Sequence, residues 1–175
     1  HRDYYDAVVV GSGPNGLSAA ITLAERFASV LLLEAKPTIG GGCRSAELTL
    51  PGFIHDVCSA VQPLGFYSPV LRAFGLEHHG LAWIQPEIPL AHPFDDGTAL
   101  CLHRSLDATA AALGSDAAPY RALMAPYVEH HAQLLADILK PLPLPGHPLL
   151  MARFGLQAVR SARSLALESF RDART

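Results

Sequence analysis

The chain has 175 residues, half of them hydrophobic and 17% charged, which describes a globular protein with a core and excludes a disordered chain. A formal net charge of −3 gives no electrostatic basis for binding nucleic acid or an anionic membrane surface. The three cysteines, Cys43, Cys58 and Cys101, are far apart and form no CxxC pair, so no redox dithiol motif or zinc knuckle is expected. An odd count of this kind fits a reducing, cytoplasmic setting better than a disulfide framework.

Ala7 to Ala24 is largely apolar, but Asp3 and Asp6 stand where the basic region of a targeting signal would be. Gly11, Gly13, Pro14, Asn15 and Gly16 interrupt the run, which also removes a membrane-spanning helix from consideration. Because the chain begins with His1 rather than Met, a trimmed or tagged N-terminus is expected.

Tyr5 to Val10 reads as a strand buried on both faces, continuously apolar after Asp6 and β-branched at its end. Gly11 to Gly16 is a turn. From Asn15 or Gly16 to about Phe27, the residues Leu17, Ala20, Ile21, Leu23 and Ala24 fall on helical spacing. Val30 to Leu33 is a second buried strand, closed by Glu34, and the three elements make a parallel βαβ crossover. A Pro- and Gly-rich loop, Lys36 to Gly42, precedes two short strands, Ala46 to Leu50 and Phe53 to Val57, around Pro51-Gly52. Ser68 to Phe74 is expected to be a short helix, with Pro69 in its first turn.

Ala82 to Leu102 contains strand-like runs with Asp96-Gly97 as a hairpin turn. Ser105 can cap a helix to Leu113, and Ser115 or Asp116 starts a longer one to about Lys140, with a bend at Pro126. Pro141 to Pro148, with four prolines and a glycine, is a stiff connector, after which Leu149 to Arg171 reads as helix. The fold class is therefore α/β, a Rossmann-like βαβ nucleotide-binding domain with a mostly helical second half.

Gly11-Ser12-Gly13-Pro14-Asn15-Gly16 follows an expected strand and opens an expected helix, the context that gives a GxGxxG its meaning. Gly11 permits the tight turn, Gly13 lets backbone approach a pyrophosphate, and Gly16 lets helix and strand pack closely. The helix N-terminus offers free N–H groups to phosphates. Glu34 follows Gly16 after seventeen intervening residues, where a carboxylate can accept from the ribose hydroxyls of an adenosine. It would repel a 2′-phosphate, which disfavours NADP, although Lys36 nearby softens that repulsion. Read without a ligand, the glycines would serve packing alone and Glu34 would be a solvated strand end. With the features in register, the ADP half of a dinucleotide is the better reading, and it does not separate FAD from NAD.

A second cluster, Gly40-Gly41-Gly42-Cys43-Arg44-Ser45, begins six residues after Glu34. Glu34-Ala35 with Gly40, Gly41 and Ser45 resembles the FAD-dependent amine oxidase and phytoene desaturase superfamily. There the ribose-binding Glu precedes a glycine pair and, four residues past it, a Ser or Thr. The family's arginine often stands directly after the glycine pair, where this chain has Gly42, with Arg44 displaced by two residues. Pro51-Gly52-Phe53-Ile54-His55-Asp56 is similar to the Gly-Phe-x-x-Asp stretch of carotenoid desaturases, with Cys58 where glycine is frequent. The likeness is closest to phytoene-dehydrogenase-like oxidoreductases and covers about the first 60 residues. It implies FAD as cofactor, hydride removal from a small organic substrate, and cofactor contacts from Gly11 to Gly16, Glu34, Ala35, Gly40 to Gly42, Arg44 and Ser45.

Members of that superfamily are much longer and return to the nucleotide fold near their C-terminus. The resemblance thus implies an N-terminal portion. Residues 4–104 would be the start of the FAD-binding domain, and 105–175 a helical excursion toward a substrate or cap domain. A dinucleotide-binding or regulatory module without turnover is the rival reading, and an NAD-dependent dehydrogenase a third. Glu77-His78-His79 and Glu129-His130-His131 are no metal motif, since adjacent histidines on a helix diverge by about 100°. No GxSxG elbow is present. Cys43 fits a small residue packed in a tight loop better than a covalent flavin attachment point. No catalytic acid or base, substrate, electron acceptor or oligomeric state is named by the sequence. Nucleic acid, metal and membrane partners are not expected.

Overall fold

The computed structural model describes residues 4–141 and 144–175. These fall into two units that divide between Leu81 and Ala82.

In the first unit, strand β1 (Ala7–Val10), helix α1 (Pro14–Ala24) and strand β2 (Val30–Leu33) make a parallel crossover, with Ala7 opposite Val30 and Val10 opposite Leu33. Pro14 opens α1 where a missing N–H costs nothing and its fixed φ suits the first turn. The start of the ladder is clasped by side chains. Ser29 donates to Asp6 Oδ2 through both its N–H and its Oγ, each at 2.9 Å, and Asp6 N–H donates to Ser29 O at 3.1 Å. Helix α1 stops at Ala24, short of Phe27, as Arg26 N–H reaches back to Leu23 O at 3.0 Å and tightens the last turn.

The expectation of strands buried on both faces is corrected. Val8 and Val10 are 54% and 82% exposed and Leu33 47%, because the two-stranded sheet has a single helix of its own crossover to cover it. Strands β3 (Ser45–Glu47) and β4 (Ile54–Asp56) pair antiparallel with Ser45 opposite Asp56. They are shorter than the sequence suggests, since Phe53 N–H turns back onto Leu50 O at 3.1 Å and ends the ladder. Helix α2 (Pro63–Tyr67), which the sequence pattern does not announce, leads into α3 (Pro69–Ala73), capped by Ser68 Oγ accepting from Leu71 N–H at 3.3 Å.

The second unit begins with the antiparallel hairpin β5 (Leu90–Pro93) and β6 (Ala99–Leu102). Its turn is fixed by Asp96 Oδ1, which accepts from Thr98 N–H at 3.0 Å and Thr98 Oγ1 at 2.6 Å. Ser105 caps α4 (Leu106–Ala111) by accepting from Ala108 N–H at 3.2 Å. The hairpin belongs to the second unit, with the helices, and its contacts say why. His103 N–H donates to Thr109 Oγ1 at 2.9 Å, and Arg174 pairs with Asp96 at 2.7 Å while its guanidinium lies 5.0 Å from the Phe94 ring centre.

The single helix expected up to Lys140 is two, α5 (Ala117–Glu129) and α6 (His131–Ile138). Pro126 is carried inside α5, and the chain breaks one turn later at His130, whose ψ is 22°. The expected final helix is also two, α7 (Pro148–Ala158) and α8 (Ala162–Ser169), because Ser161 Oγ accepts from Ser164 N–H at 3.1 Å and starts a new one. Within the proline-rich connector, residues 142 and 143 lie outside the described residues. Its far end is held by Asp137, whose carboxylate accepts from Lys140 Nζ at 2.8 Å, Gly146 N–H at 2.9 Å and His147 N–H at 2.8 Å.

Among the described residues, Ala110 and Leu134 are the buried apolar side chains, and Asp116, in the same unit, is fully buried. Asp116 makes no cap bond to α5; its carboxylate accepts from Arg171 N–H at 3.0 Å and Asp172 N–H at 2.8 Å. Those N–H groups, Asp172 first, hold the carboxyl below the ordinary carboxylate range. Asp116→Asn should therefore release the segment after α8. Its amide keeps one acceptor oxygen but loses the charge that strengthens these bonds and the second oxygen that shares the Arg171 N–H, and the hydrogen exchange of the Arg171 and Asp172 amides should quicken about tenfold or more. Unchanged protection would show that the segment is held by other contacts. No helix of the described residues is long and apolar enough to cross a membrane.

Candidate functional site

The glycine turn between β1 and α1 joins two backbone requirements to one opening. Gly11 sits at φ +93°, a left-handed conformation that side chains resist, and its N–H donates to Leu33 O at 2.7 Å, tying the turn to the end of β2. A Cβ on Gly16 would lie 1.9 Å from Gly11 O, so α1 approaches the turn more closely than any other residue would permit. Gly13 is different. Its φ is −69°, and a Cβ there would meet only Gly41 Cα, at 3.9 Å. No described neighbour requires glycine at this position. Gly13 is the N-cap of α1 and offers no side-chain cap, so the first-turn N–H groups beside Pro14 and Asn15 have no side-chain acceptor.

Ser12 is fully buried and binds three segments together. Its N–H donates to Glu34 Oε2 at 2.8 Å, its Oγ donates to the same oxygen at 2.6 Å, and its carbonyl accepts from Gly40 N–H at 2.8 Å. Glu34 Oε1 accepts from Lys36 N–H at 2.9 Å. The carboxyl is drawn down to about 2, first by the Ser12 hydroxyl, then by the Ser12 and Lys36 N–H groups. It is a carboxylate at any physiological pH.

The second glycine loop lies against the first. Gly41, at φ +57°, packs so close that a Cβ added to it would come within 2.8 Å of Gly13 Cα. Arg44 folds back on the loop, with Nε donating to Gly41 O at 2.8 Å. The structure thus brings together Gly11 to Gly16, Glu34, Gly40, Gly41 and Arg44. Ala35 is exposed at the strand end, and the Ser45 hydroxyl is engaged across the hairpin, donating to Asp56 Oδ1 at 3.0 Å. Gly42 faces Cys58 and Ser59, and the Ser59 N–H donates to Gly42 O at 2.9 Å. Two features escape sequence reading, the hold of Ser12 on Glu34 and the seating of Gly41 on Gly13. A small polar residue between the first two glycines is the one signal that could have suggested the former. Among the described residues, no three His, Cys, Asp or Glu side chains converge on a metal position.

The family model described as an NAD(P)-binding Rossmann-like domain matches residues 9–74. This part of the chain has a Rossmann-like α/β fold. A limonene dehydrogenase component from Castellaniella defragrans is 32% identical over 102 residues, 58% of this chain and 18% of that protein. Digeranylgeranylglycerophospholipid reductase of Methanospirillum hungatei is 48% identical over 52 residues, 30% of this chain and 13% of that protein. A soluble pyridine nucleotide transhydrogenase of Marinobacter nauticus is 48% identical over 40 residues, 23% and 9% respectively. By name these relatives are oxidoreductases, and the chain spans less than a fifth of the length of each. The crystal structure of a CLA-producing fatty acid isomerase from P. acnes superimposes with a TM-score of 0.46 at 19% identity, over 78% of this chain and 28% of that one.

Proposed function

We propose that this Rossmann-like domain binds FAD and serves a phytoene-dehydrogenase-like oxidoreductase. The observation that carries the reading is the fixed Glu34 carboxylate beside a glycine turn whose middle glycine the protein does not itself require. The uncapped first turn of α1 supplies N–H groups for a pyrophosphate, Gly13 leaves the space for it, and Glu34 accepts from an adenosine ribose. FAD rather than NAD is favoured by the second glycine loop, which the desaturase resemblance assigns to the cofactor and which packs on the first at Gly13. The dehydrogenase and reductase names of the relatives support redox turnover. When bound, FAD supplies the hydride acceptor; the residues here bind and orient its ADP half. The organic substrate, the cap-domain role of the helical unit and a cytoplasmic setting belong to the same proposal.

Because the contacts of this site serve phosphate and ribose, the 175-residue chain should bind ADP and FAD with similar, weak affinity and show no turnover. A 2′-phosphate on the adenosine should weaken binding about tenfold, since it would face the Glu34 carboxylate. Titration of the purified chain with ADP, FAD and 2′-phospho-ADP, with the flavin absorbance bands followed for FAD, checks both expectations. A yellow protein holding FAD tightly would overturn the expectation of weak binding, and a chain that binds neither ADP nor FAD, or one indifferent to the 2′-phosphate, would overturn the reading of the site.

A further inference from the structure

We infer that Ser12 is a positioning residue that fixes the Glu34 carboxylate so that a single acceptor site, on Oε1, is left for a ribose hydroxyl. This rests on the reading of the glycine turn as an ADP site and goes beyond it, because it names which oxygen recognises the ligand and what holds it there.

A carboxylate oxygen has room for about two good donors. Oε2 already has two, the Ser12 N–H at 2.8 Å and the Ser12 hydroxyl at 2.6 Å. Oε1 has one from Lys36 N–H at 2.9 Å, which leaves one lone-pair direction open. Glu34 is half-buried and Ser12 is fully buried, so the hydroxyl has no solvent to compete for it and its donation to Oε2 is persistent. Ser12 is itself fixed from the other side by Gly40 N–H on its carbonyl. The carboxylate is thus set before any ligand arrives, which lowers the ordering cost of binding. An unrestrained glutamate could chelate both ribose hydroxyls; this one accepts from one.

The donors to the carboxylate are the Ser12 hydroxyl and the N–H groups of Ser12 and Lys36, while the Ala35 N–H lies near it and adds least without completing a hydrogen bond; all are neutral. No charged side chain is among them, so the hold on Glu34 should be nearly independent of salt.

The test has a ligand-free arm and a ligand arm. In the chain labelled with carbon-13, the Glu34 carboxyl signal is followed against pH. The wild type should titrate near 2, and Ser12→Ala well above that, toward 4.5. Ser12→Cys, which keeps a weak donor, should fall between them. A wild-type midpoint at 4.5 would overturn the inference without recourse to any variant. In the second arm, ADP is compared with its 2′-deoxy and 3′-deoxy forms. The wild type should lose about tenfold in affinity on removal of one of the two hydroxyls and little on removal of the other. In Ser12→Ala that discrimination should fall below about threefold, because Oε2 becomes available again. A merely structural role would weaken all three ligands equally, and discrimination retained in the variant would overturn the inference. A wild type that binds no ADP would instead dismiss the ADP-site reading, with the titration still deciding whether Ser12 sets the carboxylate.

Discussion

Gly13→Val is expected to remove dinucleotide binding while leaving the βαβ unit folded. A Cβ at Gly13 meets no protein atom closer than Gly41 Cα, at 3.9 Å, and the backbone there is extended at φ −69°, ψ 175°. The cost to the fold is that of a poor helix N-cap, about 1 kcal/mol. The cost to the ligand is larger, because the branched side chain occupies the approach to the first-turn N–H groups. Loss of two charge-assisted contacts corresponds to about 3 kcal/mol, or roughly two orders of magnitude in affinity. Titrating ADP by calorimetry and FAD by fluorescence quenching, in this chain and in any longer form, checks the expectation. Equal affinities in variant and wild type would remove this loop from the site.

Gly16→Ala should do the reverse, and more severely. Replacing a helical glycine by alanine ordinarily gains about 1 kcal/mol. Here the added Cβ would stand 1.9 Å from Gly11 O and 3.0 Å from Gly11 C, both backbone atoms of the turn that β2 holds through Leu33. No rotamer relieves that overlap, so α1 must move away from the turn. The loss should exceed about 3 kcal/mol, a large share of the stability of an ordinary domain. Urea unfolding monitored at unit-one amides measures it. A variant as stable as the wild type, or more stable, would mean that the close approach of α1 is not a constraint. Together the two variants separate the glycine that serves the fold from the glycine that serves the ligand.

What the sequence made legible was local. The apolar run before Gly11, the proline at the first helical position and the apolar spacing from Leu17 onward place β1, α1 and β2 to within a few residues. Pro69 in a first turn and Ser105 as a cap announce their helices because each is read over a few neighbouring positions. The misses depend on partners far along the chain. Asp116 marks the start of a helix as expected, yet its side chain is given to Arg171 and Asp172, which no local pattern connects to it. Pro126 looked like the weak point of the long helix, whereas the break comes at His130. Within the site, glycine spacing and Glu34 were readable, but the service of Ser12 to Glu34 across 22 residues was not. Burial of β1 and β2 was over-read because an apolar run reports what a strand can bury, and not what covers it.

The clasp between Asp6 and Ser29 bears on how the chain finds this arrangement. It joins residues 23 apart, at the end of the sheet away from the glycine turn. Closing a loop of that length carries a modest entropic penalty that rises only with the logarithm of its size. About half of the intervening segment is the helix α1, which shortens the span the chain must close before Ala7 can pair with Val30. Register would then be settled from the clasp inward, and Leu33 would be delivered to Gly11 as the last step of the zipper. A nucleotide would meet a turn already assembled, and cofactor capture would follow the birth of the crossover instead of directing it.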